Sequence, residues 1–171
     1  SQTQGNDPLL SKQWGMLDIG GPQTWSQNKN TQPIIVAVID TGVDYTHPDL
    51  VSNMWRNPGE TGVDASGKDK ASNRIDDDGN GFVDDINGYN FAYDNPNVKD
   101  DGGHGTNIAG TIGATTNNDI GYAGIDQKCK LMICKNLDDE NLGEYSWWSA
   151  SLYYASNNGA RVLNMSEGGY D

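Results

Sequence analysis

The strongest apolar signal in the chain is Pro33-Ile34-Ile35-Val36-Ala37-Val38-Ile39. It is β-branched, of strand length and uninterrupted by polar residues, as a strand covered on both faces requires. It stops at Asp40-Thr41-Gly42, a turn signal. Tyr89 to Ala92 and Lys130 to Lys135 read as further strands, and Arg161 to Met165 as a last buried one. Tyr145 to Asn157 reads as an amphipathic helix with Trp148, Leu152 and Ala155 on one face, and Gly159 fits a left-handed cap after it. Gly105 to Ala114 is a helix candidate made of small residues, which only close contact with a sheet could stabilise, since glycine is a poor helix former. Before the first strand, residues 1–31 are polar and irregular, with a short helical turn near Leu9 to Trp14. Asp49 to Gly88 is a long acidic loop rich in Gly and Asn, and a loop of that length in a compact domain is usually functional. Strands alternating with helices predict an α/β fold with a doubly wound parallel sheet, in one domain over residues 1–171.

Charge narrows the function. The chain has 171 residues, 24 acidic against 11 basic, for a net charge of −13. That balance argues against a nucleic-acid partner, which needs a basic footprint, and suits calcium, a hard cation that takes oxygen ligands. No apolar run is long enough to span a bilayer, and no signal-peptide pattern stands at the start, so the sequence begins as a processed or trimmed product would. Cys129 and Cys134, on one strand, would lie roughly 16 Å apart on opposite faces, beyond the ~7 Å Cα separation a disulfide tolerates. They read as two small buried hydrophobes.

Many of the carboxylates fall between Asp64 and Asp101, and one stretch of them has metal-ligand spacing. In Asp76-Asp77-Asp78-Gly79-Asn80-Gly81-Phe82-Val83-Asp84-Asp85, Asp76, Asp78 and Asn80 occupy loop positions one, three and five. Glycine supplies the turn, the Phe82 carbonyl follows at position seven, and Asp85 adds a carboxylate. The loop departs from an EF-hand at its twelfth position, Asn87, so EF-like ligation without flanking helices is expected; a solvated acidic loop is the alternative.

Function in such a sheet sits at the carboxyl ends of the strands, where Asp40 lies. Asp-Thr-Gly alone is a turn or the half-site of an aspartic protease. Three blocks in order say more: Asp40-Thr41-Gly42-Val43-Asp44 with His47-Pro48-Asp49-Leu50, then His104-Gly105-Thr106-Asn107-Ile108-Ala109-Gly110, then Val162-Leu163-Asn164-Met165-Ser166 with Gly168-Gly169. Together they resemble the Asp, His and substrate-strand blocks of the subtilisin-family serine proteases, over Asp7 to Asp171. The style is that of members with an acidic calcium loop, bacterial secreted proteases and apicomplexan parasite subtilisins among them.

The resemblance implies a serine endopeptidase in which Asp40 and His104 are catalytic. His104 would take the serine proton and Asp40 would fix and stabilise the imidazole; the Asp-before-His order is the subtilisin one. His47, the other histidine, reads as structural. Asn141-Leu142-Gly143 and Ser166-Glu167-Gly168 match the two edge segments that sandwich an extended polypeptide substrate, although each is a plain glycine turn when read alone. A calcium site of Asp7, Asp49 and Asn118, completed by carbonyls of Thr115, Ile120 and Tyr122, is carried over in the same way. So are a secreted or secretory-pathway location, an inhibitory prodomain and a monomeric state.

Three features depart from the family pattern. Asn107 replaces a second histidine, Glu167 replaces an apolar lining residue and would favour basic substrate side chains, and the sequence stops before a Gly-Thr-Ser nucleophile block, so residues 1–171 are expected to be the N-terminal portion of a subtilisin-like catalytic domain, with a sheet incomplete on its C-terminal side, and to be inactive alone. The competing readings are a catalytically dead subtilisin-like binding or regulatory subunit and a calcium-binding structural module.

Overall fold

The computed structural model describes residues 5–25, 27 and 32–168. Its elements run α1 (Trp14–Asp18), α2 (Gly21–Trp25), β1 (Ile35–Asp40), β2 (Gly88–Asn90), α3 (His104–Gly113), β3 (Lys130–Lys135), α4 (Tyr145–Asn157) and β4 (Val162–Met165). The four strands form one parallel sheet in the order β2-β3-β1-β4, the α/β architecture the alternation of elements predicts.

The unbroken apolar runs of β1 and β3 follow from their central place. Side chains alternate between faces along a strand, and here both faces are covered. Val36, Val38, Leu131 and Ile133 join Ala109 of α3 on one side, while Ala37, Ile39, Met132 and Cys134 join Tyr154 and Ala155 of α4 on the other. Cys129 and Cys134 accordingly fall into opposite cores as free, buried thiols.

α3 exists because the sheet needs a slim helix. A Cβ on Gly105 would collide with the Gly42 carbonyl oxygen, and one on Gly113 with the Cys129 sulfur. β2 is admitted to the sheet on the same terms: Gly88, at φ 127°, leaves no space for a Cβ against the Ile133 carbonyl.

Three expectations need correction. α4 has the expected bounds but buries Ser151, Tyr154 and Ala155, while Leu152 is exposed. The aromatic Tyr154 outcompetes Leu152 for the sheet because it carries more buriable area. Within residues 1–171 β4 pairs only with β1 and is less covered than expected, with Val162 49% and Met165 38% exposed. Within residues 1–31, the expected helical turn near Leu9 to Trp14 is present as a 3₁₀ turn over Leu10–Lys12, but the stretch expected to be irregular also holds α1 and α2, and Leu10 and Met16 pack on Ala123. Gln13 bonds both the carbonyl and the N–H of Ala123. Residues 1–4, 26 and 28–31 lie outside the described residues. Gly159, at φ 87°, is the left-handed residue after α4, as expected.

Candidate functional site

Asp40 ends β1 and is fully buried; His104 opens α3. The parallel topology brings these ends together although 64 residues separate them. His104 Nδ1 lies 2.8 Å from Asp40 Oδ1 and 3.0 Å from Oδ2, and Asp40 Oδ1 also accepts the Thr41 N–H at 2.7 Å. The hydrogen bond to Asp40, and then its charge, push the His104 pKa up from its ordinary value. The His104 side chain is 53% exposed, and Nε2 takes no protein partner among the described residues. The pair is a fixed, oriented imidazole with one nitrogen open to a cleft, which is the arrangement of a general base.

Two residues that sequence reasoning missed hold this pair in place. Asp100 binds both halves: Oδ1 accepts from Thr41 Oγ1 at 2.8 Å and from the Gly102 and Gly103 N–H groups, and Oδ2 accepts from the Thr106 N–H and hydroxyl. Thr41 Oγ1 in turn accepts the Gly105 N–H at 2.9 Å. Burial works against ionising Asp100, but this set of donors outweighs it and lowers its pKa. Its sequence signal was a carboxylate four residues ahead of a helix-opening histidine. Lys135, at the end of β3 and 2% exposed, donates to the Thr41 carbonyl at 2.7 Å and to Asp101 at 3.1 Å. It sits in the strand pattern as one polar residue among apolar ones and gave no signal.

The cleft beside His104 has a volume of about 530 Å³. Asn141, Leu142 and Gly143 line one part of it, and Ser166, Glu167 and Gly168 another. Both segments that the sequence singled out therefore border the cavity of the candidate base. A Cβ on Gly143 would run into Trp148 Nε1 and Leu137. Glu167 is half-buried and accepts from Asn136 Nδ2 at 2.9 Å. His47 is elsewhere: its Nδ1 accepts the Asp49 N–H at 3.1 Å, and it lines a separate cavity with Asn107.

Asp7, Asp49 and Asn118 also converge. Asp7 and Asp49 are 5% and 4% exposed. Asp7 accepts the N–H groups of Asn117 and Asn118, and Asp49 accepts from Asn118 Nδ2 at 2.9 Å and from the Tyr122 N–H. Thr115 and Ile120 join through their N–H groups, to the Asp49 carbonyl and to Asn118 Oδ1.

The acidic loop forms a second cluster with a different membership. One carboxylate oxygen each from Glu60, Asp76 and Asp78 lie within 4.8 Å of one another. Glu60 is fully buried; Oε1 accepts the Asp77 N–H, and Oε2 is buried without a partner. Burial pushes its pKa up. Asp85 stands outside this group, its oxygens taken by the Tyr154 hydroxyl at 2.6 Å, Asn57 at 2.8 Å and Asn80 at 3.0 Å. Asn80 Oδ1 accepts the Phe82 N–H, and the Phe82 ring stacks edge-on with Tyr89, Phe91 and Tyr154, which moors the loop to the core. Three close carboxylates, one buried with a free oxygen, suit a hard cation. Glu60 lies sixteen residues before Asp76, too far for a loop-spacing argument to reach.

Comparison with known proteins gives a consistent picture. The profile of the Subtilase family matches residues 31–170. Subtilisin-like protease 1 of Plasmodium falciparum (isolate 3D7) is 38% identical over 164 residues, covering 94% of this chain and 22% of that protein. Thermitase of Thermoactinomyces vulgaris is 28% identical, covering 96% of this chain and 48% of that protein. The halolysin-like extracellular serine protease Nep of Natrialba magadii is 27% identical, covering 95% and 26%. The chain thus spans between about a fifth and a half of the length of these relatives.

Proposed function

The chain belongs to the subtilase family, and from that premise we propose that it forms the Asp- and His-bearing part of the catalytic domain of a secreted serine endopeptidase. The observation that carries this reading is the bond from His104 Nδ1 to the buried Asp40 carboxylate, beside a cleft bordered by both candidate substrate segments. Asp40 holds the proton on Nδ1, so Nε2 is the nitrogen free to receive one. In the reaction Nε2 takes the proton of a serine hydroxyl as that oxygen attacks the scissile carbonyl, and returns it to the leaving amine. The developing imidazolium is stabilised by Asp40. An extended polypeptide would lie between 141–143 and 166–168, with glycines allowing its backbone to approach. The serine belongs to the further length of chain that the relatives have, and residues 1–171 alone are expected to be inactive. Monomeric behaviour and an inhibitory prodomain go with the same reading. No described helix is long and apolar enough to cross a membrane.

Calcium is the metal this reading assigns to both acidic clusters. Glu60, Asp76 and Asp78, with Asn80 and the Phe82 carbonyl, would hold one ion, and Asp85 would brace the loop from behind. Asp7, Asp49 and Asn118, with the carbonyls of Thr115, Ile120 and Tyr122, would hold the other. Calcium supplies charge neutralisation and loop order there, and takes no part in the proton transfers.

A catalytically dead subunit gains nothing from Asn107, which lines the cavity on the His47 side of α3 and has no part in the Asp40–His104 contact. The test is the full-length protein: it should hydrolyse peptides and be inactivated by a phosphonylating reagent that targets an activated serine. An unreactive full-length protein would remove the protease reading and leave the binding-subunit one.

A further inference from the structure

The wall of the cleft contains a polar contact that the protease reading does not use. Among the described residues four buried side-chain polar atoms lack a hydrogen-bond partner: Glu60 Oε2, considered above, Trp148 Nε1, which lies against Gly143, and Glu167 Oε2 and Asn136 Oδ1. The last two are the unused halves of one contact. Asn136 Nδ2 donates to Glu167 Oε1 at 2.9 Å, and the oxygens left over on the same two groups are both sealed from solvent.

A carboxyl and a carboxamide joined by one N–H···O bond can close a second, antiparallel bond through their remaining oxygens when the carboxyl carries its proton. With the proton absent, two acceptors are buried with no donor, which is costly. One proton satisfies both at once.

The charged surroundings agree. Lys135, next to Asn136, is committed to the Thr41 carbonyl and Asp101. From β1, Asp40 adds negative charge near Glu167; from α3, His104 is the group that opposes it. In the loop after β3, Asp138 accepts its own loop's N–H groups, and Asp139, Glu140 and Glu144 are exposed.

We propose that Glu167 and Asn136 form a carboxylic acid–carboxamide pair, closed by the Glu167 proton, which keeps the cleft wall beside His104 uncharged and selects uncharged peptide side chains until that proton is lost. Ionisation releases the proton to solvent, opens the pair and leaves a carboxylate on the wall, which then favours Lys or Arg. Glu167 is thus a specificity-determining residue whose preference depends on pH, and the simple basic preference expected from its charge applies only to the open form. Burial pushes the Glu167 carboxyl up, in keeping with a retained proton.

The inference rests on the cleft being a peptide site, so the test has a readout apart from turnover. In full-length protein carrying carbon-13 at glutamate carboxyls, the resonance absent from both Glu167→Gln and Glu167→Ala spectra is that of Glu167. It should stay at the protonated position while surface glutamates ionise, and move only at higher pH. Peptide pairs differing by Leu or Lys at successive subsites should be discriminated against Lys at low pH, and the ratio should turn toward Lys as the resonance moves. Glu167→Gln can close the same pair with amide donors, so it should hold the low-pH profile at every pH. A Glu167 resonance that ionises with the surface glutamates, or a Glu167→Gln profile that follows pH as the wild type does, overturns the pair. Absent peptide cleavage with the resonance behaving as described would refute the protease reading and leave the pair standing.

Discussion

At the scale of single residues, the Asp40–His104 contact sets what each partner is worth. In the proposed full-length enzyme, His104→Ala should lower kcat about a millionfold and Asp40→Ala about ten-thousandfold, as the corresponding changes do in subtilisin itself. The difference follows from the proposed roles, in which His104 moves the proton and Asp40 orients and stabilises the imidazole. Wild-type-like turnover in His104→Ala would move the base elsewhere. pH dependence follows from the same bond. Asp40 raises the His104 pKa above the usual ~6.5, and the base must be neutral to act, so activity should rise with pH through that raised value. In Asp40→Asn the acid limb of kcat should shift to lower pH along with the loss of rate. Folding stability has the opposite sign: the protonated pair contributes below the ordinary histidine pKa, and that contribution disappears as pH rises through the folded-state value. An acid limb at the same pH in Asp40→Asn would mean that another group titrates there.

Among the elements, α3 gives the sharpest test, because three of its glycines face different surroundings. Gly105 lies against the Gly42 carbonyl and the Asp40 side chain, Gly113 against Cys129 and Leu131, and Gly110 meets nothing within 4 Å. Gly110→Ala should therefore stabilise the domain by about 0.8–1 kcal/mol through helix propensity alone, read as a small rise in Tm with kcat unchanged. Gly105→Ala should lower both Tm and kcat, since the helix must retreat from the carboxylate that holds His104. Equal effects at the two positions would show that packing against the sheet is not what glycine provides. Asp100→Ala belongs here too. It removes the carboxylate shared by the Thr41 turn and the start of α3, so kcat should fall more than KM changes.

For the whole molecule, the two acidic clusters tie distant parts of the chain together, Asp7 to Asn118 and Glu60 to the loop at Asp76. A ligand bound only by the native state stabilises by mass action, about 2.7 kcal/mol at a hundredfold excess over its Kd. Chelation should lower the Tm of the complete domain, and calcium should restore it. Glu60→Ala should remove one share of that response and Asp49→Ala the other, with the double variant insensitive to chelator. A Tm that is the same with and without chelator in the wild type would exclude a structural calcium.

Periodicity and residue type determined the strands and helices to within a residue or two for β1, β3, α3 and α4, because continuous apolar runs and glycine-cap signals are local. Family-style blocks around Asp40 and His104 pointed to the pair that the fold brings into contact for a related reason: a turn at a strand end and a helix start each carry their own local code. Tertiary structure alone decided that Tyr154 rather than Leu152 faces the core. It also decided which carboxylates meet. Asp85, in the loop motif, is taken up by Tyr154 and two asparagines, and Glu60, sixteen residues before Asp76, stands beside Asp76 and Asp78 instead. Lys135 and the Glu167–Asn136 contact were likewise out of reach, since each depends on a partner far along the chain. Local preference acts over a few residues, whereas burial and hydrogen-bond satisfaction are settled only once the chain has closed on itself.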